Sequence, residues 1–532
     1  MAPRNEVGGP VRLADKGIDL SVNSLYIKDG EAQETQNLFY RNGLNKRPGY
    51  SKYSTNAVAA SKEIVGLHRF YSGVSTRILF ATAGTVCRKL NGDLTWTDIR
   101  TGLTDSTPMF INTWGSINQA FFANGVDVPF YSDGTTTTAL AVAPPKSLVI
   151  LPYRSRLLSI DRDNPSDIRW SGQDYSIPTS WTTTAQALRM FGPGAIDILA
   201  LHGLTSEKGY EEKVLVQKPT SSALLSGFDF DPTSVNFEFR LRLDEVSSTI
   251  GCSSPRTVVG IDKGTIFLGS DRQVYLLPYG SLILIPIGEK IRSVTSIKGI
   301  ESIPLQMLSK ACAIYEDGFY KLSISTNSLT ENTVQFWLDV NRLYKDEETN
   351  KYGPWYGPYI GQKITLFSHN NSAGDDSVLL SGDYSGFVNN INNKGVYSDD
   401  GIAITCRFHS RPYAYSGARK NTKLTKTALE LLDCLSTIQL SFFDTTGPIN
   451  QVGFSLNSIG SYLNEAFMDE AYMEGLSPVR IVLEHFEKNI IGIAISTAIE
   501  HTSASENFQV YYIDNMGNSL KGKMPIALSS IN

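Results

Sequence analysis

Short apolar runs broken by turn residues dominate the chain from Ile64 to about Asn392. Arg77-Ile-Leu-Phe-Ala81 is followed by Gly84-Thr-Val-Cys-Arg-Lys-Leu90 and then by Asn91-Gly-Asp-Leu-Thr-Trp96. Gln119-Ala-Phe-Phe-Ala123 leads into an Asn124-Gly125 turn, Val128-Pro-Phe-Tyr131 and an Asp133-Gly134 turn. Hairpins at intervals of about 8–12 residues predict an all-β array. Successive units lie roughly 40–50 residues apart, the spacing of propeller blades. Three later units share one form, an apolar strand, a Gly/Asp turn and a return strand. They are Thr265–Leu277, Ala311–Leu322 and Val378–Val388. Radial repetition of such units leaves only short, protected edges.

The flanks have a different texture. The first sixty residues predict an arm, with Gly8-Gly-Pro10 as an early break and one or two helical turns over Glu31–Tyr40. Arg41–Tyr50 holds an Asn-Gly and a Pro-Gly turn. From about Ser398 the strands Gly401–Phe408, Lys423–Leu432, Ile438–Phe443, Val479–Glu484, Ile490–Ile499 and Phe508–Ile513 predict a β-sandwich-like module. Leu463–Leu476 is expected as a short helix. The expected fold class is all-β: an arm over 1–60, a β-propeller over 61–397 and a β-rich platform module over 398–532. Two turn-rich segments, Asp161–Phe191 and Tyr344–Pro358, read as long loops that make contacts.

Composition agrees with this picture. In 532 residues, 44 Gly, 25 Tyr and 24 Phe stand against 8 Met, which favours turns and short strands over long helices. The net charge of −5 argues against a whole-surface DNA-binding role, which needs clustered Lys and Arg to neutralise phosphate, and does not exclude a protein that DNA slides past. No h-region follows Met1, and no apolar run approaches the ~20 residues of a membrane span. The expectation is a chain made in a cytoplasm, with no stable membrane insertion.

Chemistry-bearing residues are sparse. Cys87, Cys252, Cys312, Cys406 and Cys434 have no paired spacing, and the six histidines stand apart from them. This predicts reduced, packed thiols and no zinc site. Asp161-Arg-Asp-Asn-Pro-Ser-Asp167 resembles a calcium loop in outline only. Pro165 occupies the bend and no distal Glu follows, so a solvated turn is expected. Cys252 has no local general base. A distant carboxylate pair for glycoside hydrolysis is open to any chain with 53 acidic residues and so points nowhere. The expectation is no catalytic residue, no metal and no cofactor.

The order of these motifs resembles one family. Gly30-Glu-Ala-Gln-Glu-Thr-Gln-Asn-Leu-Phe-Tyr-Arg-Asn-Gly-Leu-Asn-Lys-Arg-Pro-Gly49 is similar to the N-terminal signature of podovirus tail nozzle proteins. That group includes tail tubular protein B and the packaged-DNA stabilisation proteins. Ala123–Asp127 with Tyr131–Gly134, Ala143-Pro-Pro145, Arg156-Leu-Leu158, Asn164–Ser171 and Ile250–Val259 with Ile266–Leu277 follow in family order. Gly353-Pro-Trp355 and Leu380–Gly386 complete the series. In the Ile266–Leu277 hairpin, Arg272-Gln273 replace the usual turn glycine.

The resemblance implies a structural virion protein of a short-tailed bacteriophage tail, assembled in the host bacterial cytoplasm. It implies a homohexameric ring below the adaptor and portal and above a tip, needle or fibres. The ring would retain genomic DNA and conduct it without sequence-specific binding. Asn37, Tyr40, Arg41, Lys46, Arg47 and Tyr50 are the expected subunit or adaptor contacts, together with the C-terminal module. The alternatives are a receptor- or glycan-binding propeller of a tail tip and a polysaccharide depolymerase.

Overall fold

The computed structural model describes residues 6–519, apart from 73–75, 141–145, 154–155, 173–176, 178–180, 182–187, 191–199, 205–212, 229–239, 294–298, 371–377, 416–421, 433–435, 445–446, 455–477, 485–489 and positions 327, 329, 392, 394 and 493. The described residues contain no α-helix, only short 3₁₀ turns among strands.

Among the described residues, six four-stranded antiparallel sheets follow one another from Ile64, and a seventh four-strand unit forms one end of a ten-stranded sheet that runs on into the C-terminal strands. Blade 1 runs from Ile64–Ser72 to Trp96–Thr101 and blade 2 from Phe110–Trp114 to Thr137–Ala139. Blade 3 runs from Ser147–Tyr153 to Leu188–Arg189 and blade 4 from Ala200–Leu204 to Arg240–Ser247. Blade 5 runs from Val259–Ile261 to Ile285–Pro286 and blade 6 from Cys312–Glu316 to Trp355–Ile360. Blade 7 takes three strands from Leu366–Asn370, Val378–Gly382 and Val388–Ile391. Its fourth is Tyr50–Lys52, where Tyr50 pairs with Ile391 and Lys52 with Asn389. The inner strand of blade 1 packs against that of blade 7, which closes the ring. The fold is a seven-bladed propeller closed by a strand from near the N-terminus.

Blades pack through apolar faces, as alternation along a half-buried strand dictates. Between blades 1 and 2, Phe70, Phe80, Cys87, Phe122 and Phe130 form one buried cluster. Phe122 stacks on Phe130 at 4.5 Å and meets Phe80 edge-on at 5.3 Å, both favourable ring geometries. The turns behave as read, with Gly125 and Gly134 at φ of 76° and 87°. Arg272 has a φ of 62°. It takes the left-handed conformation that a glycine occupies more cheaply at that turn. Arg256, beside blade 5, donates to the carbonyls of Val65 in blade 1 and Thr365 before blade 7, so its side chain ties three separate parts of the ring together.

The arm is not a separate element. Glu6–Pro10, Leu38–Tyr40 and Leu44–Lys46 join Thr422–Leu432, Pro478–Glu484, Ile490–Gly492 and Gln509–Ser519 in one sheet. Ala32–Gln36 pairs with Ile402–Ser410 in a second, which continues through Ser496–Ser503 and Ile438–Asp444 to Gly447–Phe454. The platform is thus a β-sandwich made from both chain ends. Glu31–Tyr40, expected as helical, is two strands because partners on the C-terminal strands claim its backbone, a tertiary override of local propensity. The segments read as loops hold strands as well, Asp167–Trp170 and Leu188–Arg189 in one and a Tyr344–Lys345/Tyr352–Gly353 hairpin in the other. Leu463–Leu476 lies outside the described residues. One continuous core runs from Ile266 and Leu276 of blade 5 through Leu322, Phe336 and Trp355 of blade 6. It passes Ile18, Ala32 and Leu38 of the arm and reaches Phe408, Leu429 and Ile513 of the sandwich.

Candidate functional site

The segment with the strongest family resemblance lies where arm, propeller and sandwich meet. Asn37 sits at a φ of 55°, a left-handed position that Asn tolerates better than most residues. Its Nδ2 donates to Thr405 O at 2.8 Å, and its Oδ1 accepts from Ile360 N and from Arg47 Nε, both at 2.9 Å. Arg47 is 1% exposed. Its Nη1 donates to Asp399 Oδ1 at 2.8 Å, and its Nη2 donates to Asp399 Oδ2 and to Ile360 O. This two-pronged pairing matches the planar guanidinium to the carboxylate. At Gly49 a Cβ would fall 2.0 Å from Ser398 O, so no other residue fits. The Asn…Arg-Pro-Gly pattern therefore joins blade 6, the arm and the first sandwich strands.

Two more buried cations reinforce the seam. Lys46 Nζ donates to Ser503 O at 2.8 Å and Glu506 O at 2.9 Å, and burial lowers its pKa. Lys290, beyond blade 5, is fully buried and pairs with Glu31 Oε1 at 2.6 Å. It also donates to the Tyr344 hydroxyl at 2.7 Å. Tyr40 carries the Arg342 guanidinium over its ring at 5.3 Å. Arg41 is exposed, yet it donates to Asp317 O at 2.9 Å and lies 5.4 Å from the Phe319 ring. Tyr50 closes blade 7, and burial beside Asp399 and Asp400 pushes its hydroxyl up to about 12.

The six residues expected to contact a neighbouring subunit are thus all engaged within the chain. Asn37, Lys46 and Arg47 are buried there. They bind far segments of their own polypeptide, because unpaired charges and amides in this seam would be costly. Arg41 is the one among them with an exposed side chain. Glu31, Lys290 and Asp399 went unnoticed in the sequence, since their partners lie hundreds of positions away.

The sequence features with possible chemistry are internal too. Asp161 Oδ2 accepts from Arg169 Nη1 at 3.0 Å, and its Oδ1 accepts from Asp163 N at 3.1 Å. Among the described residues no group of three or more His, Cys, Asp or Glu side chains could hold a metal ion. Cys87, Cys252, Cys312 and Cys406 are free and buried. Burial pushes the Cys252 thiol up to about 12, far from a reactive thiolate. Cys434 lies outside the described residues. No described helix is long and apolar enough to cross a membrane.

One open cleft, about 370 Å³ in volume, lies on the same seam. Asp19 to Ile27 and Gln33-Glu34 of the arm form most of its wall, with Pro358 of blade 6 and His409 of the sandwich completing it. His409 Nε2 lies 2.9 Å from Ser496 Oγ and 3.2 Å from Gln33 Nε2. The Gln33 amide nitrogen only donates, so this ring nitrogen accepts and the proton sits on Nδ1. Burial, aided by Arg407, pushes the His409 pKa down to about 4, which keeps the ring neutral. Asp19 is held by Lys351 Nζ at 3.1 Å and by Ser21 N at 2.9 Å.

No family model matches the chain, and no curated protein matches it. Among solved structures it is similar to YCF48 from Cyanidioschyzon merolae at 10% identity, covering 64% of this chain and 98% of that one with a TM-score of 0.39. It is similar to the N-terminal domain of Nup159 at 9% identity, covering 67% and 98% with a TM-score of 0.35. It is also similar to an exo-beta-1,3-galactanase from Phanerochaete chrysosporium at 11% identity, covering 88% and 99% with a TM-score of 0.27. At these scores the likenesses add nothing to the sheet order itself.

Proposed function

We propose that the chain is a structural subunit of the tail nozzle of a short-tailed bacteriophage. Copies form a ring below the adaptor and portal and above the tip, and the ring holds packaged DNA and conducts it at ejection. The observation that carries this reading is the ordered resemblance from Gly30 to Gly386, whose most distinctive residues fall on the seam. Asn37, Arg47 and Gly49 each meet a requirement of that junction. A subunit that bears load between two ends of a tail benefits from a propeller and platform sharing one core. The DNA path in this reading runs between copies, along the axis of the ring they form. Ring closure needs two different complementary patches per subunit, and we place them on the outer surfaces of the sandwich and the blades. The role needs no covalent chemistry.

Mass photometry of the purified chain with and without its adaptor tests the proposal. A ring of about six copies that docks on the adaptor is expected. A monomer indifferent to the adaptor overturns it.

A further inference from the structure

Every polar wall of the seam cleft except one set of groups is already paired. Lys351 and Arg407 face Asp19 and Glu34, which leaves no unpaired cation to attract an anion. Both carboxylates have basic neighbours, so an added cation gains little. The groups left over are neutral and of both kinds. His409 Nδ1–H and Asn23 Nδ2 are donors, and Gln33 Oε1 is an acceptor, because Gln33 Nε2 is engaged with Ser410 O and His409. Leu20, Val22 and Ile27 supply an apolar floor. In the chain segment between lining residues Ser24 and Ile27, Tyr26 has 78% of its surface exposed. An unburied aromatic beside a polar cleft offers a face on which a ring can stack. The volume lies within the ~300–1,000 Å³ of small-molecule sites, which favour places where domains meet.

We infer that this cleft binds a neutral saccharide unit, whose hydroxyls both donate and accept and whose C–H face stacks on Tyr26. All the groups that line the site come from one subunit.

Saturation-transfer difference NMR on the full chain tests it, with methyl β-D-glucopyranoside, methyl β-D-galactopyranoside and N-acetylglucosamine as neutral probes. Glucosamine and glucuronate serve as charged controls. Transfer to at least one neutral probe is expected, and affinity should fall about fivefold in Tyr26→Ala, the loss of one stacking contact. Tyr26 is exposed, so that variant folds. Gln33→Leu should weaken binding as well, and its circular dichroism and melting midpoint report whether it folds. Absence of transfer to every neutral probe overturns the assignment. So does a preference for either charged sugar, or neutral-sugar binding unchanged in Tyr26→Ala. The mass-photometry result has no bearing on any of these outcomes.

Discussion

The contact between blades 1 and 2 and the centre of the seam between propeller and platform are both buried, yet they are built from opposite materials. The first is a set of phenyl rings, stacked and edge-on, with no polar atom that needs a partner. The second concentrates Arg47, Lys46, Lys290, Glu31, Asn37 and Asp399 with nearly all their polar atoms matched. Apolar packing tolerates repetition, because any blade face suits any other of similar volume. A buried charge accepts only its own partner. The comparison teaches that the repeated part of the molecule is held by area and the unique junction by specificity.

The largest expected effect breaks the seam at its centre. Arg47→Ala leaves Asp399 and two carbonyls unanswered and should cost roughly 3–5 kcal/mol. In urea melts followed by two probes, the sandwich and propeller transitions should separate. Next, Glu31→Leu or Lys290→Met alone should cost about 3 kcal/mol, while the double variant should lie within about 1 kcal/mol of the parent. A double-mutant cycle measures the coupling.

Acid gives the third test. Burial, with Lys46 nearby, holds His501 down at about 4 against an ordinary 6.5, and its ring stacks on Phe508 at 4.6 Å. The unfolded imidazole binds a proton that the folded one refuses. The stability is therefore complete above about pH 6.5 and is lost as pH falls toward about 4, by up to about 3 kcal/mol. Thermal melts at pH 7 and 5 check the direction, and His501→Phe should remove its share of the dependence while His409 and His68, also held down at about 4 by burial, keep theirs. Phe122→Leu in the blade contact should cost less than about 1.5 kcal/mol and keep a single transition. Smallest of all, Lys146→Ala removes an ion pair with Asp163 whose side chains are 53% and 49% exposed. It should shift stability by less than about 0.5 kcal/mol, read from denaturant midpoints.

The same contrast decides what was legible beforehand. Hairpins such as Thr265–Leu277 and Val378–Val388 announce themselves, since alternation and turn residues are local. The all-β class and the propeller repeat followed from them. The blade number did not, because turns give no count of closure. Nor did the sandwich membership of the arm, because the partners of Ala32–Gln36 and Leu44–Lys46 lie near the other chain end. Arg41, Lys46 and Arg47 were expected as subunit or adaptor contacts, yet two of the three point inward to acceptors that no spacing rule reveals. The cleft was invisible for the same reason, being assembled from three separate parts of the chain.

Closing blade 7 with Tyr50–Lys52 also sets a schedule. That strand leaves the ribosome before the first blade, and Val388–Ile391 emerges more than three hundred residues later. At bacterial-like elongation of about 5–20 residues per second, the early strand waits roughly 15–70 s for its neighbour. Blade 7 cannot gain its fourth strand before that interval has passed, so the ring closes on a segment made before its first blade.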